Sequence, residues 1–377
     1  MTDQILQKLR EREKAGSTRK LFAPDGLIDF VSNDYLGLSR SQELFGKIKS
    51  YDYSREVNLN GSTGSRLLAG NSSTVEHLEQ KLACIFKSEA ALLFNSGYVA
   101  NLALISTIPQ RGDTIIYDSL SHVCLKEGAY LSKAHRFSFR HNDCDDLEAK
   151  LEQAKGDKYV IIESVYSMDG DMAPFGNIIE LAQKYEAKII VDEAHSTGLY
   201  GDAGSGKLCA LGLEENIFAR VHTFGKAMGV HGACICGSQE LINYLINFAR
   251  PFIYTTALPI HSIFSIDAAF DYLSAKIQLQ KESKDKIYYF NSLFNQKVGK
   301  DASMEKLESN TPIQPIVVPG NKRVKAMAAS LQENGYDVRP ILSPTVKEGS
   351  ERLRISIHTH NTEEDITGLI NQLTKLA

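Results

Sequence analysis

Long hydrophobic runs are missing from this sequence. No stretch approaches the ~20 consecutive apolar residues that a membrane-spanning helix needs, so we expect no membrane span. Residues 1–20 are polar and charged and contain no signal-peptide core. A cytoplasmic protein is therefore the natural interpretation.

An excess of basic residues is missing as well. The formal net charge is -4, whereas a general nucleic-acid binder needs a basic face. We therefore expect no nucleic-acid partner. The net charge still leaves room for a local basic pocket that binds an anionic substrate.

Cysteine is scarce, and its spacing does not suggest a metal site. The six cysteines are scattered, and Cys84, Cys124, Cys234 and Cys236 have apolar neighbours. Cys234 and Cys236 alternate within a strand-like run, so both should point to one face. A zinc site needs wider spacing and further ligands nearby, and none appear in the sequence. We expect no metal and six reduced, mostly buried thiols.

Short apolar runs alternate with helical patterns from about residue 75 onward. A helix is predicted over 98–107, with Ser96 and Gly97 as its start signal. The alternation predicts an α/β fold with a mostly parallel sheet covered on both faces. Ligands of such sheets bind at the carboxyl ends of the strands. The predicted strands are 90–94, 114–117, 135–139, 159–163, 189–192, 221–224 and 233–237.

The two ends of the chain differ from this central part. Residues 1–15 have helical charge spacing, and 240–300 predict helices and a long connection. The last part predicts a small C-terminal α/β domain, with strands at 315–318, 337–341 and 353–357 and a helix over 323–333. A capping box of Thr362 and Asp365 opens the final helix. We predict an N-terminal segment (1–40), a large domain (41–265) and a small C-terminal domain (266–377).

An acid and a lysine follow two of the apolar runs. Asp192 closes the apolar run 188–191, and Lys226 follows the short strand 219–222 in a glycine-lined turn. A lysine can form a Schiff base with the aldehyde of pyridoxal phosphate (PLP), and an aspartate can keep its pyridine nitrogen protonated. Each residue alone is more typical of a loop lysine or a capping aspartate, but together they indicate a PLP site.

Four separated motifs strengthen this interpretation. They resemble the α-oxoamine synthases, PLP enzymes that condense an amino acid with an acyl-CoA and release carbon dioxide. The resemblance runs from about residue 19 to the end. It implies the PLP-dependent transferase fold of the aspartate-aminotransferase type I, and a homodimer with a shared active site. The motifs are Asn33-Asp34-Tyr35-Leu36-Gly37-Leu38, Ser164-Val165-Tyr166-Ser167-Met168-Asp169-Gly170-Asp171, Asp192-Glu193-Ala194-His195-Ser196-Thr197-Gly198 and Thr223-Phe224-Gly225-Lys226.

The resemblance implies roles for the cofactor residues. Lys226 would form the Schiff base and move the substrate α-proton, Asp192 would pair with the pyridine nitrogen, and His122 would stack on the ring. The other cofactor contacts are implied at His195 (the phenolic oxygen), Ser167, Thr223, the helix start Ser96-Gly97-Tyr98, and Thr255 or Thr256, which would reach the phosphate of the other subunit.

The resemblance also implies residues for the substrates. Asn33 and Arg354 would hold the amino-acid carboxylate, since an arginine fork binds a carboxylate in bidentate fashion. Arg352 lies on the same strand face, so strand parity does not separate it from Arg354. Arg352 is therefore the rival candidate, and the resemblance favours Arg354. Arg19 and Thr345 would contact the acyl substrate.

Substrate choice follows from finer similarities. Segments 229–233, 313–315 and 343–346 look most like the biotin-pathway members of the family, which use L-alanine with pimeloyl-CoA or its carrier-protein thioester. Relatives that use glycine or serine share the same PLP residues and stay an alternative.

One position departs from the family pattern. Val75 stands where the family usually has a histidine. We expect the nearby His77 on the helix surface.

A nucleotide-binding site is the competing class of function. Residues 201–207 resemble a P-loop, and Asp192-Glu193-Ala194-His195 resembles a helicase signature. Leu208 stands where a P-loop needs the magnesium-binding Ser or Thr, and no clear apolar strand precedes Gly201. The acidic box also precedes the loop, which is the reverse of helicase order. These points argue against an NTPase.

Overall fold

A computed structural model of the protein describes residues 3–19, 21–54, 56–299 and 304–376. The first half forms, in chain order, α1 (Asp3–Lys14), β1 (Ile28–Asp29), α2 (Gln42–Lys49), α3 (Ser73–Ile85), β2 (Ala90–Phe94), α4 (Gly97–Thr107), β3 (Thr114–Asp118), α5 (Val123–Leu131), β4 (His135–Phe139), α6 (Cys144–Gln153), β5 (Lys158–Glu163), α7 (Phe175–Lys184) and β6 (Ala187–Asp192). The second half forms α8 (Lys207–Leu211), β7 (Ala219–Thr223), β8 (Ala233–Gly237), α9 (Gln239–Phe248), α10 (Arg250–Ile253), α11 (Ile260–Ala275), α12 (Gln278–Lys297), β9 (Glu305–Lys306), β10 (Ile313–Val317), α13 (Asn321–Glu333), β11 (Tyr336–Asp337), β12 (Arg339–Ile341), β13 (Arg352–Ser356) and α14 (Glu363–Leu376). Within these ranges no helix is both long enough and apolar enough to cross a membrane.

The chain divides into two compact units. The larger contains Leu36–Ser167 and Met172–Gln280, and the smaller contains Met1–Tyr35, Met168–Asp171 and Lys281–Ala377. This division differs from the predicted one. The N-terminal residues group with the C-terminal part, and the boundary falls after α11, because α11 packs on α2 and α3 of the larger unit.

A seven-stranded sheet forms the centre of the larger unit. Its strand order is β2-β8-β7-β6-β5-β3-β4. β8 is antiparallel to both of its neighbours, and the remaining pairs are parallel. The predicted mostly parallel sheet is therefore confirmed.

Both faces of this sheet are covered, as the nearly continuous apolar strands require. Successive residues of one strand enter different apolar clusters, so Ile115 packs with Leu104 and Leu125 of α4 and α5. Ile116 packs in a second cluster with Ile178 of α7. The sheet thus separates two helical layers.

The carboxyl ends of the parallel strands carry polar side chains. β5 ends at Glu163, β6 at Asp192 and β7 at Thr223, and Glu163 is the direct register partner of Asp192. Because these strands are neighbours, their last side chains meet at one edge of the sheet. The predicted site residues of the larger unit lie at this edge.

The smaller unit has its own sheet and core. β12, β13, β10 and β9 form an antiparallel sheet in that order, and β1 pairs with β11 in parallel. Phe30, Leu353 and Leu369 belong to its apolar core. The predicted capping box is confirmed, because Thr362 N–H donates to Asp365 Oδ2 at 2.8 Å and Asp365 N–H donates to Thr362 Oγ1 at 3.0 Å.

The cysteines match the prediction in all but one detail. All six are free thiols, and Cys234 and Cys236 are buried with their sulfur atoms 3.7 Å apart. Cys84 is exposed on α3, although its apolar neighbours in sequence predicted burial. The apolar residues around it in sequence lie on the other side of the helix.

Candidate active site

Lys226 lies beside His195 at the carboxyl edge of the large sheet. Lys226 Nζ is 2.8 Å from His195 Nε2. His195 is buried in the turn after β6, and Lys226 is half-buried in the turn after β7. Both turns follow neighbouring strands, so two motifs that are far apart in sequence place an amine and an imidazole in contact.

Asp192 is a buried carboxylate held in a fixed orientation. Asn101 Nδ2 donates to Asp192 Oδ2 at 2.7 Å, and Ala194 N–H donates to Oδ1 at 2.8 Å. Asn101 is itself buried in α4. Sequence reasoning missed Asn101, although its position one turn after the Ser96 start signal is a usable clue.

The N-terminus of α4 lies against Thr223 at the end of β7. Ser96 caps the helix by accepting a hydrogen bond from Val99 N–H at 3.3 Å. A Cβ atom at Gly97 would lie 3.2 Å from Thr223 Cβ and 3.3 Å from its Oγ1. The absence of a side chain at Gly97 therefore permits this close approach. Tyr98 is exposed, and its hydroxyl contacts Glu127.

His122 starts α5 and presents an exposed ring. Its backbone N–H donates to Glu163 Oε1, and its Nδ1 lies 2.9 Å from Cys124 Sγ. Partial burial, reinforced by the charge of Lys226, lowers the pKa of His122 against the opposing effect of Asp192. A neutral imidazole is suited to stacking on an aromatic ring.

Glu163 is a buried carboxyl that sequence reasoning did not single out. Burial and the neighbouring Asp192 raise its pKa to about 8, although the hydrogen bond from His122 opposes the shift. Electrostatic repulsion makes it unfavourable for two carboxyl groups at adjacent strand ends to be ionised at the same time. Glu163 is therefore favoured in its protonated form.

The remaining predicted cofactor contacts also lie in the larger unit. Ser167 is buried a few residues after β5. Thr255 is half-buried, whereas Thr256 is exposed and its carbonyl accepts a hydrogen bond from Asn95 Nδ2 at 2.9 Å. Their proposed contact with a partner subunit's phosphate stays a prediction.

These groups fit PLP. The cofactor needs an amine for its aldehyde, a carboxylate for its pyridine nitrogen and N–H or hydroxyl donors for its phosphate. Lys226, Asp192 and the α4 start with Thr223 supply these groups at one sheet edge.

A second predicted cluster is found in the smaller unit. Arg354 Nη2 donates to Asn33 Oδ1 at 3.0 Å and to the Tyr35 hydroxyl at 3.3 Å, and Nη1 donates to Ser356 Oγ at 3.0 Å. The Tyr35 hydroxyl also donates to Asn33 Oδ1 at 2.9 Å. Burial raises the pKa of Tyr35, although Arg354 opposes the shift. The structure thus brings Asn33 and Arg354 together, 321 residues apart in sequence.

Arg352 has a different environment from Arg354. Its side chain is 7% exposed and forms an ion pair with Asp169. Its guanidinium also donates to the carbonyl oxygen of Ser350 at 3.0 Å. The strand parity that left the two arginines equivalent could not reveal this pairing, because Asp169 comes from a segment 183 residues away.

Arg19 and Thr345 also contact each other. Arg19 Nη2 donates to Thr345 Oγ1 at 3.3 Å at an exposed position. Both residues line a surface cavity with Pro340 and Leu342. An acyl chain with a terminal carboxylate would find here an arginine beside apolar groups.

The loop that resembles a P-loop already binds an anion of the protein itself. The Glu193 carboxylate accepts hydrogen bonds from the Lys207 N–H at 2.6 Å and the Leu208 N–H at 3.2 Å. A Cβ atom at Gly206, where φ is +98°, would lie 2.4 Å from Glu193 Oε2. Glu193 therefore occupies the amides that a nucleotide phosphate would need.

A cluster of Asp29, His358 and His360 in the smaller unit has the composition of a metal site. One ligand atom of each lies within 4.8 Å of the others. However, the His358 nitrogens lie 3.0 Å from Asn361 Oδ1 and 2.8 Å from the Ser32 carbonyl oxygen. Both ring nitrogens of His358 are thus already in contact with oxygen atoms of the protein. His77, which we expected at the surface, is exposed on α3.

Comparison with known proteins agrees with this geometry. Residues 25–373 match the family described as aminotransferase class I and II. A curated relative from Emericella nidulans, named 8-amino-7-oxononanoate synthase, is 39% identical over 99% of this chain and 95% of the relative.

Two solved structures show the same architecture. Serine palmitoyltransferase from S. paucimobilis, solved with a bound PLP–myriocin aldimine, matches with a TM-score of 0.88 and 25% identity over 99% of this chain and 96% of that one. 8-Amino-7-oxononanoate synthase from Francisella tularensis matches with a TM-score of 0.79 and 28% identity over 93% of this chain and 98% of that one. The chain therefore belongs to the aminotransferase class I and II family of PLP-dependent enzymes, and within it to the α-oxoamine synthases that its motifs resemble.

Proposed function

We propose that this enzyme condenses L-alanine with pimeloyl-CoA, or with a pimeloyl carrier protein, to form 8-amino-7-oxononanoate in biotin biosynthesis. The products are the aminoketone, the free thiol and carbon dioxide. The observation that supports this most is the pairing of the Lys226–His195–Asp192 site with near full-length similarity to relatives named 8-amino-7-oxononanoate synthase. We propose a cytoplasmic location for it.

The larger unit supplies the groups that act on the amino-acid Cα. When bound, PLP supplies an electron sink for negative charge at this carbon. Lys226 Nζ would anchor the cofactor, remove the Cα proton and later return a proton to the same carbon. Asp192 would hold the pyridine nitrogen in its charged form, and His195 would hydrogen-bond the phenolic oxygen. His122 would stack on the ring, and the α4 amides with Thr223 would bind the phosphate.

A second group of residues is proposed to bind the substrates. Arg354 binds the amino-acid carboxylate, and Asn33 keeps its guanidinium in place. A Cα–C bond forms to the thioester carbonyl, and the thiolate leaves. The bond to the original carboxylate then breaks, and carbon dioxide leaves. Arg19 and Thr345 bind the acyl chain.

Relatives that use glycine or serine are the alternative within the same fold, as the match to serine palmitoyltransferase illustrates. A panel of L-alanine, glycine and L-serine against pimeloyl-CoA, a pimeloyl carrier protein and longer acyl-CoA thioesters separates them. The highest kcat/KM should belong to L-alanine with a pimeloyl thioester. A clear preference for serine with a long-chain thioester would overturn the substrate assignment.

We also propose a homodimer in which the Tyr254–Thr256 segment reaches the partner's cofactor phosphate. Thr255 and Thr256 are both candidates, since each carries a hydroxyl that is not fully buried. Mixing an inactive Lys226→Ala variant with an impaired Thr255→Val variant should restore activity if each site uses both subunits. A mixture with no more activity than its parts would argue against a shared site.

A further inference from the structure

His358 is a fully buried histidine just after β13, outside the residues that the mechanism uses. Its Nε2 lies 2.8 Å from the Ser32 carbonyl oxygen. A carbonyl oxygen only accepts hydrogen bonds, so Nε2 carries a proton. Ser32 Oγ, whose own proton goes to Asp29 Oδ2 at 2.6 Å, lies 3.2 Å from the same nitrogen.

The second ring nitrogen also faces an acceptor. His358 Nδ1 lies 3.0 Å from Asn361 Oδ1. The orientation of the Asn361 amide is fixed on both sides, because its Nδ2 donates to the Asp29 carbonyl at 3.0 Å and its Oδ1 accepts the His358 backbone N–H at 2.9 Å. Turning the amide over would break both hydrogen bonds. Nδ1 therefore carries a proton as well, which makes the ring an imidazolium.

The charged groups around the ring are consistent with this state. Burial alone would raise the pKa of Asp29, but His358 and hydrogen bonds from Ser32 and Val31 hold it well below its usual range. His360 stacks on His358 with ring centroids 4.6 Å apart, and its Nε2 is 4.0 Å from Asp29 Oδ2. Lys286 donates to the Asn361 carbonyl oxygen from α12. A carboxylate oxygen of Asp29 thus lies within 4.8 Å of a ring nitrogen of each histidine.

This imidazolium ties together the segment that orients Arg354. Ser32, which it binds, directly precedes Asn33, and Asn33 accepts from Arg354 at 3.0 Å. The backbone reinforces the same connection, since Thr359 N–H donates to the Tyr35 carbonyl oxygen at 3.0 Å. Loss of either ring proton would place a lone pair against an oxygen and push residues 32–35 away from β13.

We propose that His358 is a positioning residue, an imidazolium paired with Asp29 that locks residues 32–35 so that Asn33 holds Arg354 ready for the substrate carboxylate. The carboxylate role of Arg354 rests on the proposed function. The protonation of His358 and its connection to Ser32 do not. The two parts can therefore be tested separately.

Nitrogen-15 NMR of histidine-labelled holoenzyme tests the first part without any substrate. The spectrum of wild type, assigned by comparison with His358→Gln, should show both His358 ring nitrogens protonated at neutral pH. When Asp29→Asn removes the neighbouring carboxylate, one of the two nitrogens should lose its proton, which leaves a neutral ring with a single N–H. A His358 ring with one unprotonated nitrogen in wild type would overturn the proposal.

Kinetics test the second part. His358→Gln should raise the KM for the amino acid about tenfold, the effect of one charge-assisted hydrogen bond, with the thioester KM changed less than about twofold. The exposed His77→Gln is the matched control and should behave as wild type. Equal effects on both KM values would overturn the positioning role.

If no amino acid reacts with wild type, the proposed function fails, and the NMR result still decides the state of His358. If His358→Gln does not fold, Asn361→Ser provides the second variant. It removes the acceptor of Nδ1 and should raise the amino-acid KM in the same selective way. An unchanged KM in that variant would overturn the positioning role.

Discussion

Lys226 and His195 are hydrogen-bond partners across two adjacent strand ends, with Nζ 2.8 Å from Nε2. The contact orients the lysine amine toward the sheet edge where Asp192 and Thr223 end their strands. An amine held in this way is ready to bond to an aldehyde without searching many side-chain rotamers.

The first prediction concerns the attachment of PLP. The purified enzyme should be yellow, and borohydride reduction should fix the cofactor to the peptide that contains Lys226. Lys207 is the internal control, because its loop binds Glu193 and not a cofactor phosphate. Peptide mapping by mass spectrometry provides the measurement. Reduced cofactor attached to Lys207 would contradict the assignment of Lys226 as the Schiff-base lysine.

Asp192 provides the second prediction. Asp192→Asn keeps the shape of the side chain and removes its charge, so Cα-proton exchange should slow by ~100-fold or more, about 2.7 kcal/mol in the barrier. Deuterium exchange of L-alanine in heavy water measures this step without the thioester. Near-normal exchange would refute the role.

The control for this experiment must be chosen from the structure. Glu193 would be a natural control from sequence, but it is buried and accepts hydrogen bonds from Ser196, Lys207 and Leu208. The exposed Asp145 of α6 is the better control, and Asp145→Asn should exchange like wild type. Asn101→Ala should show a smaller defect than Asp192→Asn, because it removes only one of the hydrogen bonds to that carboxylate.

The two neighbouring arginines should respond differently to the same substitution. Arg354→Lys should raise the amino-acid KM roughly ten- to a hundred-fold, because lysine cannot reproduce the bidentate fork and a charge-assisted hydrogen bond contributes ~1.5–3 kcal/mol. Arg352→Lys should leave that KM near wild type. It should instead lower the free energy of unfolding by about 1–3 kcal/mol, since it weakens a buried ion pair with Asp169. A selective amino-acid defect in Arg352→Lys would reverse our assignment.

Glu163 should make stability depend on pH. A carboxyl group whose pKa is raised in the folded state stabilises the fold at low pH, and this contribution is lost as pH rises. For Glu163 the loss should run from about its ordinary 4.5 to about 8. Glu163→Gln should therefore become more stable relative to wild type across this window. Chemical unfolding of both proteins at several pH values measures their free energies of unfolding. If the two free energies change with pH in parallel, Glu163 does not titrate in this pH window.

The sequence allowed good prediction wherever a local pattern determines the structure. Apolar runs such as 90–94 and 233–237 became strands with those bounds, and Thr362 with Asp365 formed the predicted cap. The main cofactor residues could be named because each follows a strand end and belongs to a motif. Patterns of this kind involve residues that are close in sequence, so the sequence alone is enough to predict the local structure.

Contacts between distant segments were not predictable in the same way. Asp169 pairs with Arg352 across 183 residues, Asn101 binds Asp192 across 91, and the amides of residues 207 and 208 bind Glu193. None of these pairs has a characteristic spacing, because tertiary packing alone brings them together. The position of Glu163 beside Asp192 likewise depends on strand order, which the sequence did not specify.

The most direct test of the central claim is a competition assay on the purified wild-type enzyme. Equal concentrations of L-alanine, glycine and L-serine are incubated with pimeloyl-CoA, and the aminoketone products are resolved by mass spectrometry, with Lys226→Ala as the blank. We predict 8-amino-7-oxononanoate, derived from alanine, as the main product, with an equal amount of carbon dioxide. A main product derived from glycine or serine, or product formed equally well by Lys226→Ala, would contradict the account.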